Sequence, residues 1–177
     1  MDLTALYNLS YGLYVLGVRN VNGCEYGGCV VDAVAQVSAG SAPIVIVATM
    51  KNNNTPVCIK QFNQFTLSVL GEMIDPFVIA NFGFQSARTE DKWKNVDHVI
   101  KDGLPTFSDA IAYLHCNVIE TKELPTHTMF TCEILDAWRG TNNSSPLIYG
   151  DYLREMRPAS AAAFKAFKEA QNNTKIL

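Results

Sequence analysis

The sequence predicts a mainly β protein, an antiparallel barrel with a few peripheral helices. Three observations point there. Short apolar runs rich in β-branched and aromatic residues succeed one another through the first two thirds of the chain, bounded by turn residues. Helical signatures are inserted between these runs without the regular alternation of βαβ units. No internal repeat, low-complexity tract or linker divides the 177 residues, a length that suits one domain with a continuous core.

Taken in order, residues 11–18 (YGLYVLGV) read as the first strand, and Asn22-Gly23 supplies what a tight hairpin turn requires. The return strand is expected through Gly27-Gly28 into residues 29–37, the paired glycines allowing a bulge or a sharp bend. Residues 43–50 (PIVIVATM) form an apolar run of the kind buried on both faces. Residues 64–70 (QFTLSVL) alternate, which suits a half-buried strand. Thr55-Pro56 offers a helix N-cap with proline at the first helical position. Asp75-Pro76 repeats the device, with Gly83 as a stop. After a polar loop at 85–95, strands are expected at 110–116, 118–123 and 126–137. The alanine-rich stretch 158–171, with Phe164 and Phe167 three apart, reads as a terminal helix.

A formal charge of −3 argues against a surface built for nucleic acid or anionic membrane. Asp2 stands where a signal peptide wants positive charge, and no apolar run approaches the ~20 residues of a membrane span. The five cysteines, odd in number and without a C-x-x-C pair, read as free thiols in a reducing cytoplasm, the location expected here. Cys29 reads as a small buried residue rather than a redox thiol. The glycine-rich loops that cradle triphosphates or dinucleotides are absent, as are a G-x-S-x-G elbow and an H-E-x-x-H pair. His98, His115 and His127 are too far apart in sequence to suggest a local metal site, and no metal is expected.

What remains is three polar segments at the ends of apolar strands. Residues 32–38 begin with Asp32. Residues 49–55 bring Thr49, Lys51 and three asparagines to a helix start, where a cation and exposed N–H groups suit a phosphate. Residues 85–93 are again cationic and hydroxylic and end on Trp93. Singly each has a plainer reading: Lys51 as a solvated lysine, Asn52–Asn54 as a polar turn, Arg88 and Lys92 as surface partners of Glu90 or Asp91.

Their order, however, resembles that of flavin reductase-like FMN-binding proteins, above all the subgroup sometimes fused to rubredoxin modules. The runs YGLYVLG from Tyr11 and GCVVDAVAQVS from Gly28 resemble that family's opening. MKNNNT from Met50, QFTLSVL from Gln64 and FGFQSARTEDKW from Phe82 look like its next signatures, in its order. His127, then EILDA from Glu133, PLIY from Pro146 and Tyr152 are similar to its C-terminal pattern. The likeness covers residues 4–158; Ala87 and Trp93 depart from it, standing where glycine and phenylalanine are common.

The resemblance implies an FMN-binding split β-barrel with Greek-key character over residues 1–157, with 158–177 as a C-terminal helix and tail of the same domain. It implies a homodimer with FMN near the shared surface. Asp32, Ala33, Val34, Ala35 and Gln36 would lie along the isoalloxazine. Thr49, Met50, Lys51, Asn53 and Thr55 would approach the ribityl chain and phosphate, helped by Ser86, Arg88 and Lys92. Trp93 and His127 would border the ring or the nicotinamide. The implied activity is an NAD(P)H:flavin or acceptor oxidoreductase, with NADH or NADPH as co-substrate and a redox protein or flavin-dependent enzyme as partner. The alternative is an FMN-binding electron carrier without nicotinamide activity; His127 also has a plain reading, as a strand histidine bonded to the backbone.

Overall fold

The computed structural model describes residues 1–21 and 23–174. Its strands are β1 (Tyr14–Arg19), β2 (Tyr26–Val31), β3 (Val34–Ser38), β4 (Ile44–Met50), β5 (Gln64–Val69), β6 (His98–Lys101), β7 (Leu104–Phe107), β8 (Ala112–Glu123) and β9 (His127–Arg139). Seven of them make one sheet in the order β2-β1-β5-β8-β9-β4-β3, every neighbour antiparallel; β6 and β7 pair as a separate hairpin. The helices are α1 (Thr55–Phe62), α2 (Pro76–Gly83), a short α3 (Tyr149–Asp151) and α4 (Arg157–Thr174), the last two joined by a π-helical turn at Tyr152–Met156.

The sheet curls until β2 meets β4, which creates an inside and an outside core. Inside lie Leu16, Val31, Val47, Phe65 and Phe130, closed by Ile59 of α1. Outside, Val15, Ile79, Phe82, Trp93 and Phe107 pack between the sheet and α2. Each such side chain contributes about 1.5–3 kcal/mol on burial. Because β1 feeds both cores on alternate sides, its residues are apolar almost throughout.

Local signals place the helices. Pro76 opens α2, and the Asp75 carboxylate accepts from the Phe77 N–H at 2.8 Å. α1 begins at Thr55 itself, one position earlier than a Thr55 cap implies. Its cap residue, Asn54, makes no capping bond to the first-turn N–H groups; its amide donates to Asn20 Oδ1 at 2.8 Å and to Cys58 Sγ at 3.3 Å. The terminal helix runs longer than expected, with Phe167 against Phe77 at 4.9 Å and Phe164 against Phe84 at 5.7 Å.

Several strands differ from their sequence reading. The Asn22 turn lies outside the described residues, although β1 and β2 pair as expected. The single strand expected over 29–37 is two, because the chain leaves β1 after Val31 and crosses to pair with β4 from Val34. Residues 43–50 are not buried on both faces: Val45, Val47 and Thr49 are buried, while their neighbours are half-open or exposed. The reverse holds for β5, where both faces are buried because β7 covers the outer one. There the Thr66 hydroxyl donates to the Pro105 carbonyl and the Phe107 N–H donates to Ser68 Oγ at 3.0 Å, so polar alternation is satisfied by protein rather than water. The strands expected at 110–116 and 118–123 are one continuous β8 with two register shifts. The β6–β7 hairpin was not anticipated; its Asp102-Gly103 turn, φ 52° and 74°, is the left-handed pair that an Asp-Gly dipeptide favours. No helix is long and apolar enough to cross a membrane among the described residues.

Candidate functional site

The ends of β2 and β4, the start of α1, the loop after α2 and the start of β9 converge on a cavity of about 290 Å³. Glycine makes its floor possible: a Cβ at Gly28 would stand 2.4 Å from the Leu16 carbonyl oxygen and 3.4 Å from the Trp93 indole nitrogen. Trp93 is thereby held against the strand, donating from Nε1 to the Gly27 carbonyl at 2.9 Å and meeting Phe82 edge-on at 4.7 Å.

Polar contacts fix the surrounding loops. Asn81, fully buried, donates to the Lys92 carbonyl at 2.8 Å and accepts from Gln85 and Asn95. Asn20 accepts from Asn54 at 2.8 Å and donates to the Ala87 carbonyl at 3.1 Å, tying the end of β1 and the start of α1 to the 85–92 loop.

Lys92 dominates the electrostatics. Its side chain is buried, and Nζ donates to the Gly28 and Phe82 carbonyls at 3.1 and 2.9 Å, leaving a third N–H. No carboxylate pairs with it among the described residues, and burial lowers its pKa to about 8. Cys29 is flanked by Lys92 and by Thr55; burial still holds its thiol above the ordinary range, so it stays protonated. An ammonium and a helix start thus lie on either side of one buried thiol, an arrangement suited to an anion. Two buried polar atoms at the cavity, Thr49 Oγ1 and Gln85 Oε1, have no hydrogen-bond partner. A ligand with a phosphate and further polar groups answers all of these.

Of the residues singled out in the sequence, Asp32, Thr49, Met50, Asn53, Thr55, Ser86, Lys92 and His127 line the cavity. His127 opposes Met50 across β9 and β4, and its Nδ1 lies 2.8 Å from Thr126 Oγ1, a side-chain partner rather than a backbone carbonyl. The others stand elsewhere. Ala33, Val34, Ala35 and Gln36 lie outside the lining: Ala33 accepts from the Ala48 N–H at 2.9 Å, Val34 is half-buried, and the last four residues of β3 are exposed along the sheet edge. Lys51 pairs with Glu123 at 3.0 Å; Lys60 holds the same carboxylate, and their hydrogen bonds depress its pKa to about 2. Arg88 is exposed outside the lining, and Trp93 sits behind the cavity wall in the core. Lys92 does not pair with Glu90 or Asp91 on the surface; Glu90 instead meets Lys168 of α4 at 3.3 Å. Sequence reading missed Gly28, Phe82 and Gln85. The Gly27-Gly28 pair was a signal of close backbone approach, and Gln85 adjoins Ser86 in a segment already marked.

A family model described as the flavin reductase-like domain matches residues 6–159. The chain belongs to the flavin reductase-like family. Family membership bears out the mainly β split-barrel fold and the reading as a flavin reductase-type oxidoreductase. Among its relatives, a high molecular weight rubredoxin of Moorella thermoacetica is 30% identical over 174 residues, 96% of this chain and 74% of that protein. A ferric-chelate reductase (NAD(P)H) of Archaeoglobus fulgidus is 32% identical over 156 residues, 86% of this chain and 89% of that one. The structure of the styrene monooxygenase flavin reductase of Pseudomonas putida superposes with a TM-score of 0.68 at 26% identity, covering 82% of this chain and 89% of the other.

Proposed function

We propose that this family member is an FMN-dependent NAD(P)H:flavin or acceptor oxidoreductase and that the cavity beside Lys92 is its flavin site. The observation that carries this reading is the buried Lys92 ammonium, unpaired with any carboxylate among the described residues and facing the start of α1 across Cys29. Lys92, Thr55, Asn53 and Ser86 hold the phosphate, Thr49 and Met50 border the ribityl chain, and Asp32 meets the polar edge of the ring. Bound flavin supplies the hydride chemistry; the chain supplies position and charge. His127, on the opposite rim, positions the nicotinamide. Lys51 and Arg88 contribute from outside the wall, and Trp93 supports it from behind.

The unit is residues 1–157 with residues 158–177 belonging to the same domain, α4 packing against α2 through Phe164 and Phe167, and it acts as a homodimer. Support for the dimer comes from β3, a sheet-edge strand on which Ala35, Gln36 and Val37 are exposed, since open edges invite covering by another strand or chain. A second copy laid there would return the 33–36 segment to the flavin. A rubredoxin-like or flavin-dependent partner accords with the relative called a high molecular weight rubredoxin and with another called the reductase component of a nitrophenol monooxygenase. Five unpaired cysteines suit a reducing cytoplasm.

The test is the visible spectrum of the purified protein together with NADH and NADPH oxidation when FMN is supplied. Flavin absorbance with turnover is the expected result. Bound flavin without turnover would instead mean an electron carrier, and neither would sink both readings. Sedimentation of dilute protein should give a dimer; a monomer that still binds flavin tightly would refute the shared-site arrangement.

A further inference from the structure

The loop that carries Ser86 and Lys92 to the cavity is gripped from outside by α4. At one end Phe84 meets Phe164 of α4 edge-on at 5.7 Å. At the other, Glu90 Oε1 accepts from Lys168 Nζ at 3.3 Å, with the two side chains only 32% and 34% exposed. Lys168 is itself well seated: Nζ lies 5.6 and 5.7 Å from the centres of the Phe164 and Phe167 rings and donates to Gln171 Oε1 at 3.4 Å. Phe167 in turn packs on Phe77 of α2, the helix whose Phe82 carbonyl accepts from Lys92. Between the two grips the loop folds on itself around Ser86. The Ser86 carbonyl accepts from the Thr89 and Glu90 N–H groups at 3.3 and 3.1 Å, and its Oγ accepts from the Arg88 N–H at 3.2 Å. Glu90 therefore shares a hydrogen-bonded turn with one cavity residue and stands two positions before the other.

We infer that Glu90 and Lys168 are positioning residues: their ion pair clamps the 84–92 loop so that Ser86 and Lys92 stand where they hold the flavin phosphate, a role that rests on the flavin reading of the cavity. A carboxylate two residues from Lys92 is otherwise out of place, because its charge repels the anion that the cavity takes. Pairing with Lys168 offsets that charge and ties the loop down in the same contact. An isolated exposed ion pair contributes little. This one is partly buried, its ammonium is held against two aromatic rings, and it acts with the Phe84–Phe164 contact as the second of two grips on one short loop. Fixing both ends limits the freedom that the loop loses when flavin binds. The C-terminal helix, which stands outside the cavity lining, thereby takes part in flavin affinity.

FMN and riboflavin are titrated by fluorescence quenching into wild type, Glu90→Gln, Lys168→Met, the double variant and Lys168→Arg. Tm and amide hydrogen exchange of the flavin-free proteins are measured alongside. The expected result is an FMN affinity lowered about threefold to fivefold in each single neutral variant, with no further loss in the double and near wild-type affinity in Lys168→Arg. Riboflavin, without the phosphate, should change by less than about twofold. Glu90→Gln is the deciding variant. If the pair acted only through its field, removing a negative charge near the phosphate would tighten FMN binding; if it positions the loop, binding weakens. Tighter or unchanged FMN binding in Glu90→Gln overturns the proposal, as does a lowered Tm with equal losses for FMN and riboflavin. Should wild type bind no flavin at all, the proposed function falls, and hydrogen exchange still decides the clamp. Faster exchange at residues 86–92 in both single neutral variants, with β8 unchanged, supports it, and unchanged exchange refutes it.

Discussion

Replacing Lys92 with methionine tests the flavin site most directly. Burial brings the Lys92 pKa from 10.5 to about 8, and at about 1.4 kcal/mol per unit the environment disfavours the ammonium by roughly 3 kcal/mol. An anion in contact with Nζ recovers part of that, since charge-assisted hydrogen bonds contribute about 1.5–3 kcal/mol. Lys92→Met should therefore weaken FMN binding by about tenfold to about a hundredfold and leave riboflavin, which lacks the phosphate, nearly untouched. Wild-type affinity for FMN should fall as the pH rises through about 8, while the variant stays flat. Fluorescence-quenching titrations with FMN and riboflavin between about pH 7 and about pH 9.5 would measure both effects. An identical pH dependence for the two ligands, or one that survives in Lys92→Met, would show that Lys92 does not face the phosphate. Lys51→Ala provides the contrast: its partial exposure and its pairing with Glu123 predict a loss below about threefold.

The same shift predicts a stability signature in the unliganded protein. A lysine whose folded pKa is depressed holds fewer protons folded than unfolded, so its contribution to stability rises as the pH climbs from about 8 towards 10.5. Burial raises the thiol pKa values of Cys29, Cys58, Cys116 and Cys132, and these act in the opposite sense as the pH rises. The lysine is therefore isolated by subtracting the Lys92→Met profile from that of wild type. A difference that does not grow with pH would refute the assignment of that shift.

Two other substitutions probe the framework and the chemistry. Gly28→Ala puts a methyl group 2.4 Å from the Leu16 carbonyl oxygen and should cost about 1–3 kcal/mol, read as a lowered Tm; an unchanged melt would mean that β2 shifts freely. His127→Asn should raise the KM for NADH or slow flavin bleaching about tenfold in stopped flow, with FMN affinity unchanged. A loss of several orders of magnitude together with a missing limb of the pH–rate profile would make His127 a general acid instead.

Much of the framework around the candidate site was legible in the sequence because its signals are local. Thr55-Pro56 and Asp75-Pro76 favour a helix start through their own local conformation, so α1 and α2 were found, and the polar run ending at Thr55 was correctly expected at a helix mouth. The Asp102-Gly103 turn was equally local, and its hairpin could have been read in advance. Other features depend on neighbours that chain order does not reveal. β5 looked half-buried until β7 covered its polar face. Lys51 and Lys92 read alike in the sequence, each as a surface lysine or, by the resemblance, as a cation near the phosphate. In space Glu123 holds Lys51, whereas Lys92 is buried because Gly28 lets Trp93 and Lys92 pack directly against β2. The pattern along the chain determines which backbone conformations are cheap, whereas desolvation and charge pairing are set by distances in space. Tertiary structure alone decided which of two lysines carries a buried charge.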